Sequence, residues 1–221
     1  MTISHIKQLF IGLSLAFLCA CSPDNQDATS TTWPTFGHDV SNNKFSSLTY
    51  IDTSNVSRLQ EIWRYGDTTE GGGIYFNPVM MDNRVIGLMP SNHLVALDAG
   101  TGKLLWKFVP DSSIISNWSK GLTYHPGNPD RIFLISGGTL YAINAENGTV
   151  ISGFGNKGRV DFYEGLEVPD SMRANVPVSS NAPGVVYNDL FIVGCKVPDE
   201  LPSTPGDIRA FNINTGKLEW V

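Results

Sequence analysis

An eleven-residue repeat constrains the fold of this chain more than any other feature of its sequence. Residues 96–106, ALDAGTGKLLW, recur as residues 210–220, AFNINTGKLEW, and a weaker copy occupies residues 142–152. The copies start 46 and 68 residues apart (142 − 96 and 210 − 142). The first spacing is close to the ~40–45 residues of a four-stranded propeller blade, and the second would hold one blade plus an insertion. The repeat therefore predicts a β-propeller.

Each copy of the repeat predicts a β-hairpin. Residues 94–98, LVALD, and residues 104–108, LLWKF, have the apolar composition of paired strands. Between them, Asp98 can accept hydrogen bonds from the backbone that follows it, and Gly102 can adopt a positive φ. A short connection of this kind joins two antiparallel strands.

The last residue of each copy predicts how neighbouring blades touch. Trp106 and Trp220 end the two strong copies, where a large ring could wedge between adjacent blades. Ser152 takes this place in the middle copy. We therefore expect one weaker contact between blades.

Composition agrees with an all-β protein. Only 16% of the residues are charged, and the chain holds 22 Gly and 13 Pro, which suits a fold rich in turns. Further strands are predicted at residues 85–89, 131–135, 185–187 and 190–193. The sequence thus predicts an all-β, partial (open) β-propeller of about three to four four-stranded blades over residues 33–221. The net charge of −6 argues against a nucleic-acid partner.

The first 20 residues are predicted to be a lipoprotein signal peptide. Lys7 supplies a positive start, and residues 9–20 are apolar apart from Ser14. This stretch is too short to span ~30 Å of hydrocarbon comfortably, and it fits the apolar region of an export signal. It ends in LCAC at residues 18–21, which resembles a bacterial lipobox. An ordinary signal peptide with an incidental cysteine is the alternative.

The lipobox predicts a lipid anchor on Cys21. Lipid chains on that thiol would hold the protein at a membrane without a spanning helix. Residues 21–32 are small and polar and would form a flexible tether. Ser22 follows the cysteine, which by resemblance to bacterial lipoproteins indicates the outer membrane. We therefore expect an exported protein that faces the periplasm.

Several motifs between the repeats occur in the order found in quinoprotein dehydrogenases that depend on pyrroloquinoline quinone (PQQ). The repeat itself resembles the tryptophan-docking motif of that family. The other matching segments are WPTFGHD at residues 33–39, NVSRL at residues 55–59 with Trp63, KGLTYH at residues 120–125, FGNKGRVD at residues 154–161 and GDIRAF at residues 206–211. The resemblance covers about residues 33–221 and is greatest to membrane-bound glucose dehydrogenases and similar polyol dehydrogenases.

The resemblance implies an oxidoreductase that oxidises a sugar or polyol and passes electrons to a quinone or cytochrome. In the family, PQQ lies on the propeller axis with a divalent cation, Ca²⁺ or Mg²⁺, at its quinone edge. The cation polarises the reactive carbonyl, while an Asp takes the substrate proton. That Asp and a ring-stacking Trp belong to later blades of the family, beyond the match to Val221. We therefore expect this chain alone to be inactive, and no catalytic residue is assigned to it.

Four candidate site residues follow from the resemblance. Lys120 matches an Arg that contacts the quinone oxygen, and Ser180 matches a Thr that hydrogen-bonds the cofactor. His125 matches a His of the substrate pocket, and Asp199 lies where relatives place a cation ligand. Each also has a plain alternative as a loop, turn or surface residue. Tyr75 departs from the family, which often carries Glu at that position.

A non-catalytic function is the competing hypothesis. Lipid-anchored propellers with the same docking repeat also act as scaffolds in outer-membrane protein assembly. The segments at residues 120–125 and 154–161 belong to the enzyme branch of the resemblance, and they favour the dehydrogenase.

Overall fold

Twelve β-strands make up most of the regular structure in this computed structural model, which describes residues 32–39, 41–66, 76–111 and 119–221. The chain divides into units Met1–Ser30 and Thr31–Val221. The predicted signal peptide, Cys21 and most of the predicted tether lie outside the described residues, as does Tyr75.

The strands form three antiparallel four-stranded sheets, each built from four consecutive strands of the chain. We call these sheets blades. Blade 1 contains β1 (Val79–Met81), β2 (Arg84–Leu88), β3 (Leu94–Asp98) and β4 (Leu104–Phe108). Blade 2 contains β5 (Thr123–His125), β6 (Arg131–Ser136), β7 (Thr139–Asn144) and β8 (Arg159–Asp161). Blade 3 contains β9 (Val185–Tyr187), β10 (Leu190–Gly194), β11 (Ile208–Asn212) and β12 (Leu218–Trp220).

This architecture confirms the predicted all-β, open arrangement of four-stranded blades. The described residues hold three such sheets and only two short 3-10 turns, Val56–Arg58 and Asp170–Met172. Within these described segments, no helix has the length and apolar character needed to cross a membrane.

The turn of the first repeat is held by the Asp98 carboxylate. The backbone amide and the hydroxyl of Thr101 both donate to Asp98 Oδ1, at 2.8 and 2.7 Å. These bonds lower the pKa of the Asp98 carboxyl. Gly102 follows with a φ of 69°, as the hairpin requires.

The predicted wedge of Trp106 forms between blades 1 and 2. The indole is 8% exposed, and its Nε1 donates to the Ala145 carbonyl at 3.2 Å. The ring lies against Gly148, where a Cβ would come within 2.6 Å of it. Gly148 therefore has to be a glycine for the ring to lie this close.

The boundary between blades 2 and 3 is built differently, because Ser152 replaces the tryptophan. Here Gly155 N donates to the Thr215 carbonyl at 2.8 Å, which joins the two blades through their backbones. Phenylalanine rings also pack between these two blades. The rings of Phe133 and Phe191 stack with centroids 4.7 Å apart.

A buried arginine adds a second bridge at this boundary. Arg209 of β11 is fully buried and donates from Nη1 to the carbonyls of Phe162 and Glu164, at 2.7 and 2.9 Å. Its Nη2 donates to Cys195 Sγ at 3.0 Å, and the guanidinium lies 4.1 Å from the centre of the Phe162 ring. Arg209 thus ties blade 3 to the end of blade 2.

Trp220 does not form the predicted wedge within the described residues. It pairs with Ala210 as Trp106 pairs with Ala96, but its side chain is 42% exposed. Tyr187 on β9 and Ile208 on β11 of the same sheet are also exposed. Blade 3 therefore ends in an apolar surface that the described residues leave uncovered.

Candidate functional site

Three loop segments meet where the chain enters the first strand of each blade. The backbone amide of Asn77 donates to the Lys120 carbonyl at 3.1 Å, and the amide of Lys120 donates to the Asn181 carbonyl at 2.9 Å. These residues precede β1, β5 and β9. Asn77 also forms an isolated parallel β-bridge with Gly121. We call this group, with Ser180, the mouth residues. Asn77, Lys120 and Asn181 form one chain of backbone hydrogen bonds across the three blades.

Lys120 lies at the centre of the mouth residues. Its carbonyl accepts a second bond from Asn77 Nδ2 at 3.2 Å, so its backbone is fixed from both sides. The residue is exposed, and its ammonium forms no ion pair with any residue that the structure describes. A fixed backbone with a free cation suits the binding of an oxygen-rich anion.

Ser180 is buried, and its neighbour Asn181 accepts the hydrogen bond from the Lys120 amide. Only 7% of Ser180 is exposed, and its hydroxyl donates to the Ala182 carbonyl at 3.1 Å. The oxygen keeps its lone pairs for an incoming donor. The adjacent Asn181 Oδ1 is buried and has no hydrogen-bond partner among the described residues. Two acceptor oxygens therefore lie close together in sequence beside the Lys120 backbone.

His125 lies away from the mouth residues, at the opposite end of β5 from Lys120. It pairs across the strands with Arg131. Partial burial and the nearby Arg131 charge lower the pKa of the His125 imidazole. The ring is therefore neutral near pH 7 and can accept a hydrogen bond from a hydroxyl.

A cavity of about 660 Å³ runs beside β5 and β9, and His125 forms part of its wall. The hydroxyl of Thr123 closes the boundary between these strands by donating to the Pro183 carbonyl. Other lining residues are mostly apolar, and they include Phe36, Leu122 and Val185. This size and lining are typical of sites for small molecules.

Asp199 lies in the exposed loop between β10 and β11. The loop approaches the mouth residues through Lys196, whose amide donates to the Ser179 carbonyl at 2.8 Å. In the described parts of the chain, no three His, Cys, Asp or Glu side chains are grouped to hold a metal ion. The structure therefore joins the segments that carry Lys120 and Ser180, and leaves His125 and Asp199 at separate positions.

Asn77 and Asn181 are the mouth residues that sequence reasoning missed. Asn181 directly follows Ser180, and the family resemblance assigns a role to Ser180 alone. Asn77 lies between Tyr75 and Pro78 and has no role in that resemblance. The available signal was positional, since Asn77 lies two residues before β1 and Lys120 three before β5. Strand β1 is not among the strands that the sequence predicts, so this signal did not locate Asn77.

A family model describing the PQQ-type glucose/ethanol/alcohol dehydrogenase β-propeller domain matches residues 33–221. The quinate/shikimate dehydrogenase (quinone) of Acinetobacter baylyi is 30% identical over 85% of this chain and 27% of its own length. The quinoprotein glucose dehydrogenase of Escherichia coli is 29% identical over 85% of this chain and 26% of its own length. The chain thus spans about a quarter of the relatives it matches.

A solved structure shows the same fold. The quinohemoprotein alcohol dehydrogenase of Comamonas testosteroni superposes with a TM-score of 0.66 at 20% identity. The superposition covers 86% of this chain and 26% of that one. The three blades therefore correspond to a portion of a larger propeller.

Proposed function

This chain belongs to the β-propeller family of PQQ-type glucose, ethanol and alcohol dehydrogenases, and from that premise we propose that it forms part of an oxidoreductase acting on a sugar or polyol. The observation that carries the proposal is the hydrogen-bonded contact between the Lys120 and Ser180 segments. It collects polar groups at one end of the three first strands. The similar dehydrogenases act on quinate, shikimate and glucose, which all carry several hydroxyl groups.

The mouth residues fit PQQ by their chemistry. PQQ presents carboxylates, a quinone and a ring N–H group. Lys120 would donate to a quinone oxygen, and Ser180 would hydrogen-bond the edge of the cofactor. Asn181 Oδ1 has no hydrogen-bond donor among the residues that the structure describes, and it could accept one from the cofactor. When bound, PQQ accepts the two electrons that leave the substrate alcohol.

A divalent cation, Ca²⁺ or Mg²⁺, belongs to the same proposal. Asp199 would supply one carboxylate oxygen, a ligand type that both ions prefer. Ca²⁺ takes about six to eight oxygen ligands, so most would come from the cofactor, from water or from outside the described residues.

The cavity beside His125 is the proposed substrate pocket, and His125 forms part of its wall. Its neutral imidazole would accept a hydrogen bond from a substrate hydroxyl, while the apolar lining limits access of water. The name of the Acinetobacter relative includes the word quinone. This supports a membrane quinone as electron acceptor, with a cytochrome as the other candidate.

Membrane attachment through Cys21 is part of the proposal as well. Export, lipidation and a position on the periplasmic side of the outer membrane rest on residues 1–22. Changing Cys21 to Ser should release the protein from the membrane fraction or leave its precursor unprocessed. An unlipidated, uncleaved N-terminus in the membrane fraction of the parent would contradict the anchor.

The binding of PQQ tests the cofactor proposal directly. We propose equilibrium dialysis of PQQ with Ca²⁺ against this chain combined with the unmatched portion of the Escherichia coli relative. Saturable binding that Ser180→Ala and Asp199→Ala each weaken is the expected result. Equal affinity for the parent and both variants would overturn the site assignments.

A further inference from the structure

Thr123 links the first strands of blades 2 and 3. Its hydroxyl donates to the Pro183 carbonyl, and the Gly184 carbonyl lies 3.2 Å from the same oxygen. Pro183 and Gly184 directly precede β9, whereas Thr123 begins β5. These two strands belong to different sheets, so no ladder of backbone bonds joins them in the described residues. The side chain of Thr123, which is 6% exposed, therefore supplies a buried bond that the sheets do not provide.

The contacts behind Thr123 form a closed ring of four residues across the boundary. Thr123 lies opposite Phe133 on β6, and the Phe133 ring stacks on the Phe191 ring with centroids 4.7 Å apart. A Cβ on Gly184 would come within 2.6 Å of the Phe191 ring. Since Gly184 also faces the Thr123 hydroxyl, the ring of contacts closes, with two members from each blade. Close packing of this kind leaves little room for one blade to shift against the other.

The same two segments lead directly to the mouth residues. Lys120 precedes Thr123 by three residues, and Asn181 precedes Pro183 by two. The Lys120 amide donates to the Asn181 carbonyl at 2.9 Å. Between these two links, a Cβ on Gly121 would lie 3.7 Å from Pro183 Cβ. The segments therefore run side by side from the Thr123 link to the Lys120 bond.

The two links differ in their exposure to water. Lys120 is exposed, and a backbone hydrogen bond in such a position opens locally with little cost. The Thr123 hydroxyl is part of a buried residue and stays bonded. The buried link therefore limits how far the segments separate when the exposed bond opens.

We infer that Thr123 is a positioning residue of the mouth, whose hydroxyl holds the segment of Ser180 and Asn181 against the segment of Lys120. The inference rests on the proposed function, in which Lys120 and Ser180 contact one PQQ molecule. A ligand that touches both segments binds more tightly when their spacing is fixed beforehand, because less ordering accompanies binding. Thr123 acts here through the spacing of the other two residues.

Hydrogen exchange at the Lys120 amide tests this positioning without any cofactor. Thr123→Val keeps the shape of the side chain but leaves the Pro183 and Gly184 carbonyls without their donor. In the full chain, held in detergent, we expect this variant to speed exchange at Lys120 roughly tenfold or more. Thr123→Ser restores the hydroxyl, and its exchange rate at Lys120 should stay within about threefold of the parent rate.

Thr149→Val is the matched control. The Thr149 hydroxyl donates to Asn147 Oδ1 within its own turn at 2.7 Å, so this variant removes a hydroxyl from blade 2 but no link between blades. Exchange at Lys120 should equal that of the parent. Circular dichroism verifies that each variant is folded. Thr123→Ala provides the same comparison if Thr123→Val fails to fold.

The affinity for PQQ separates positioning from a purely structural role. It is measured by equilibrium dialysis in the chain combined with the unmatched portion of the Escherichia coli relative. Thr123→Val should weaken PQQ binding roughly tenfold, whereas Thr123→Ser and Thr149→Val should retain the affinity of the parent. A residue that only stabilises the fold would leave this affinity unchanged in a folded variant.

Three outcomes would overturn the inference: parent-like exchange at Lys120 in Thr123→Val, equally faster exchange at all amides, or faster exchange at Lys120 with an unchanged affinity for PQQ. A parent that fails to bind PQQ would instead contradict the proposed function. The exchange measurement contains no PQQ, so it still decides in that case whether Thr123 holds the Lys120 segment in place.

Discussion

The indole Nε1 of Trp106 donates a 3.2 Å hydrogen bond to the carbonyl of Ala145, which lies in the next blade and 39 residues further along the chain. The ring is 8% exposed and covers Gly148. A side chain at the end of one repeat thus closes the turn of the following repeat.

Truncating Trp106 should therefore destabilise the whole arc. Removing a large buried aromatic side chain costs about 3–5 kcal/mol, and we expect Trp106→Ala to lower the free energy of unfolding by that amount. Trp220→Ala is the matched control, since this tryptophan ends the same repeat and is 42% exposed. It should cost less than about 1 kcal/mol. Equal losses in urea denaturation would contradict the assigned contact.

Arg209 should stabilise the boundary between blades 2 and 3, as Trp106 stabilises the boundary between blades 1 and 2. Arg209→Met keeps much of the buried volume but leaves the Phe162 and Glu164 carbonyls without their donor. An unsatisfied buried polar group costs about 1–3 kcal/mol, so a loss of at least about 2 kcal/mol is expected.

Arg64→Met serves as the control for Arg209→Met. Arg64 forms an exposed ion pair with Glu61 at 2.7 Å, and such pairs contribute about 0–1 kcal/mol. A loss no larger for Arg209→Met than for Arg64→Met would show that the buried bridge does not stabilise the fold.

Stability should depend on pH through His125. Burial and the Arg131 charge lower the pKa of this imidazole in the folded state. The unfolded chain therefore binds the proton more readily. The contribution of His125 to the free energy of unfolding is complete above its unfolded pKa of about 6.5. This contribution is lost as pH falls through and below that value. Urea midpoints between pH 5 and 8 should fall less toward acid in His125→Gln than in the parent. An unchanged slope would contradict this.

The strands could be predicted because they follow from local pattern. The predicted strands at residues 94–98, 104–108 and 185–187 coincide with β3, β4 and β9. The turn between β3 and β4 was equally readable, since Asp98 and Gly102 act within a few residues of each other.

The contacts between blades 2 and 3 could not be predicted in the same way. Arg209 reaches the Phe162 carbonyl from 47 residues away, and nothing local to residue 209 indicates that partner. Ser152 predicted a weaker contact at this boundary, and not the buried arginine that bridges it.

The candidate site shows the same limit. Lys120 and His125 are neighbours in one motif, yet an extended strand advances roughly 3.3 Å per residue and separates them. Lys120 and Asn181 are distant in sequence but joined by a 2.9 Å hydrogen bond. Proximity in a propeller depends on which first strands are adjacent, which local sequence does not encode.

Lys120 should contribute to PQQ affinity by its charge. In the chain combined with the unmatched portion of the Escherichia coli relative, Lys120→Ala should weaken PQQ binding at least tenfold, because a charge-assisted hydrogen bond contributes about 1.5–3 kcal/mol. Lys120→Arg should retain most of the affinity. The control is Lys107→Ala, which alters an exposed lysine on β4. Equal affinities of Lys120→Ala and Lys107→Ala would remove Lys120 from the site.

The most direct test of the account is an assay of dehydrogenase turnover with an artificial electron acceptor. Glucose and quinate would be supplied with PQQ and Ca²⁺ to three samples: this chain alone, the unmatched portion of the Escherichia coli relative alone, and their purified complex. We predict PQQ-dependent turnover by the complex only, since the mouth residues supply one part of the cofactor site and the further blades supply the rest. Turnover by this chain alone, or none by a complex shown to contain bound PQQ, would contradict the account.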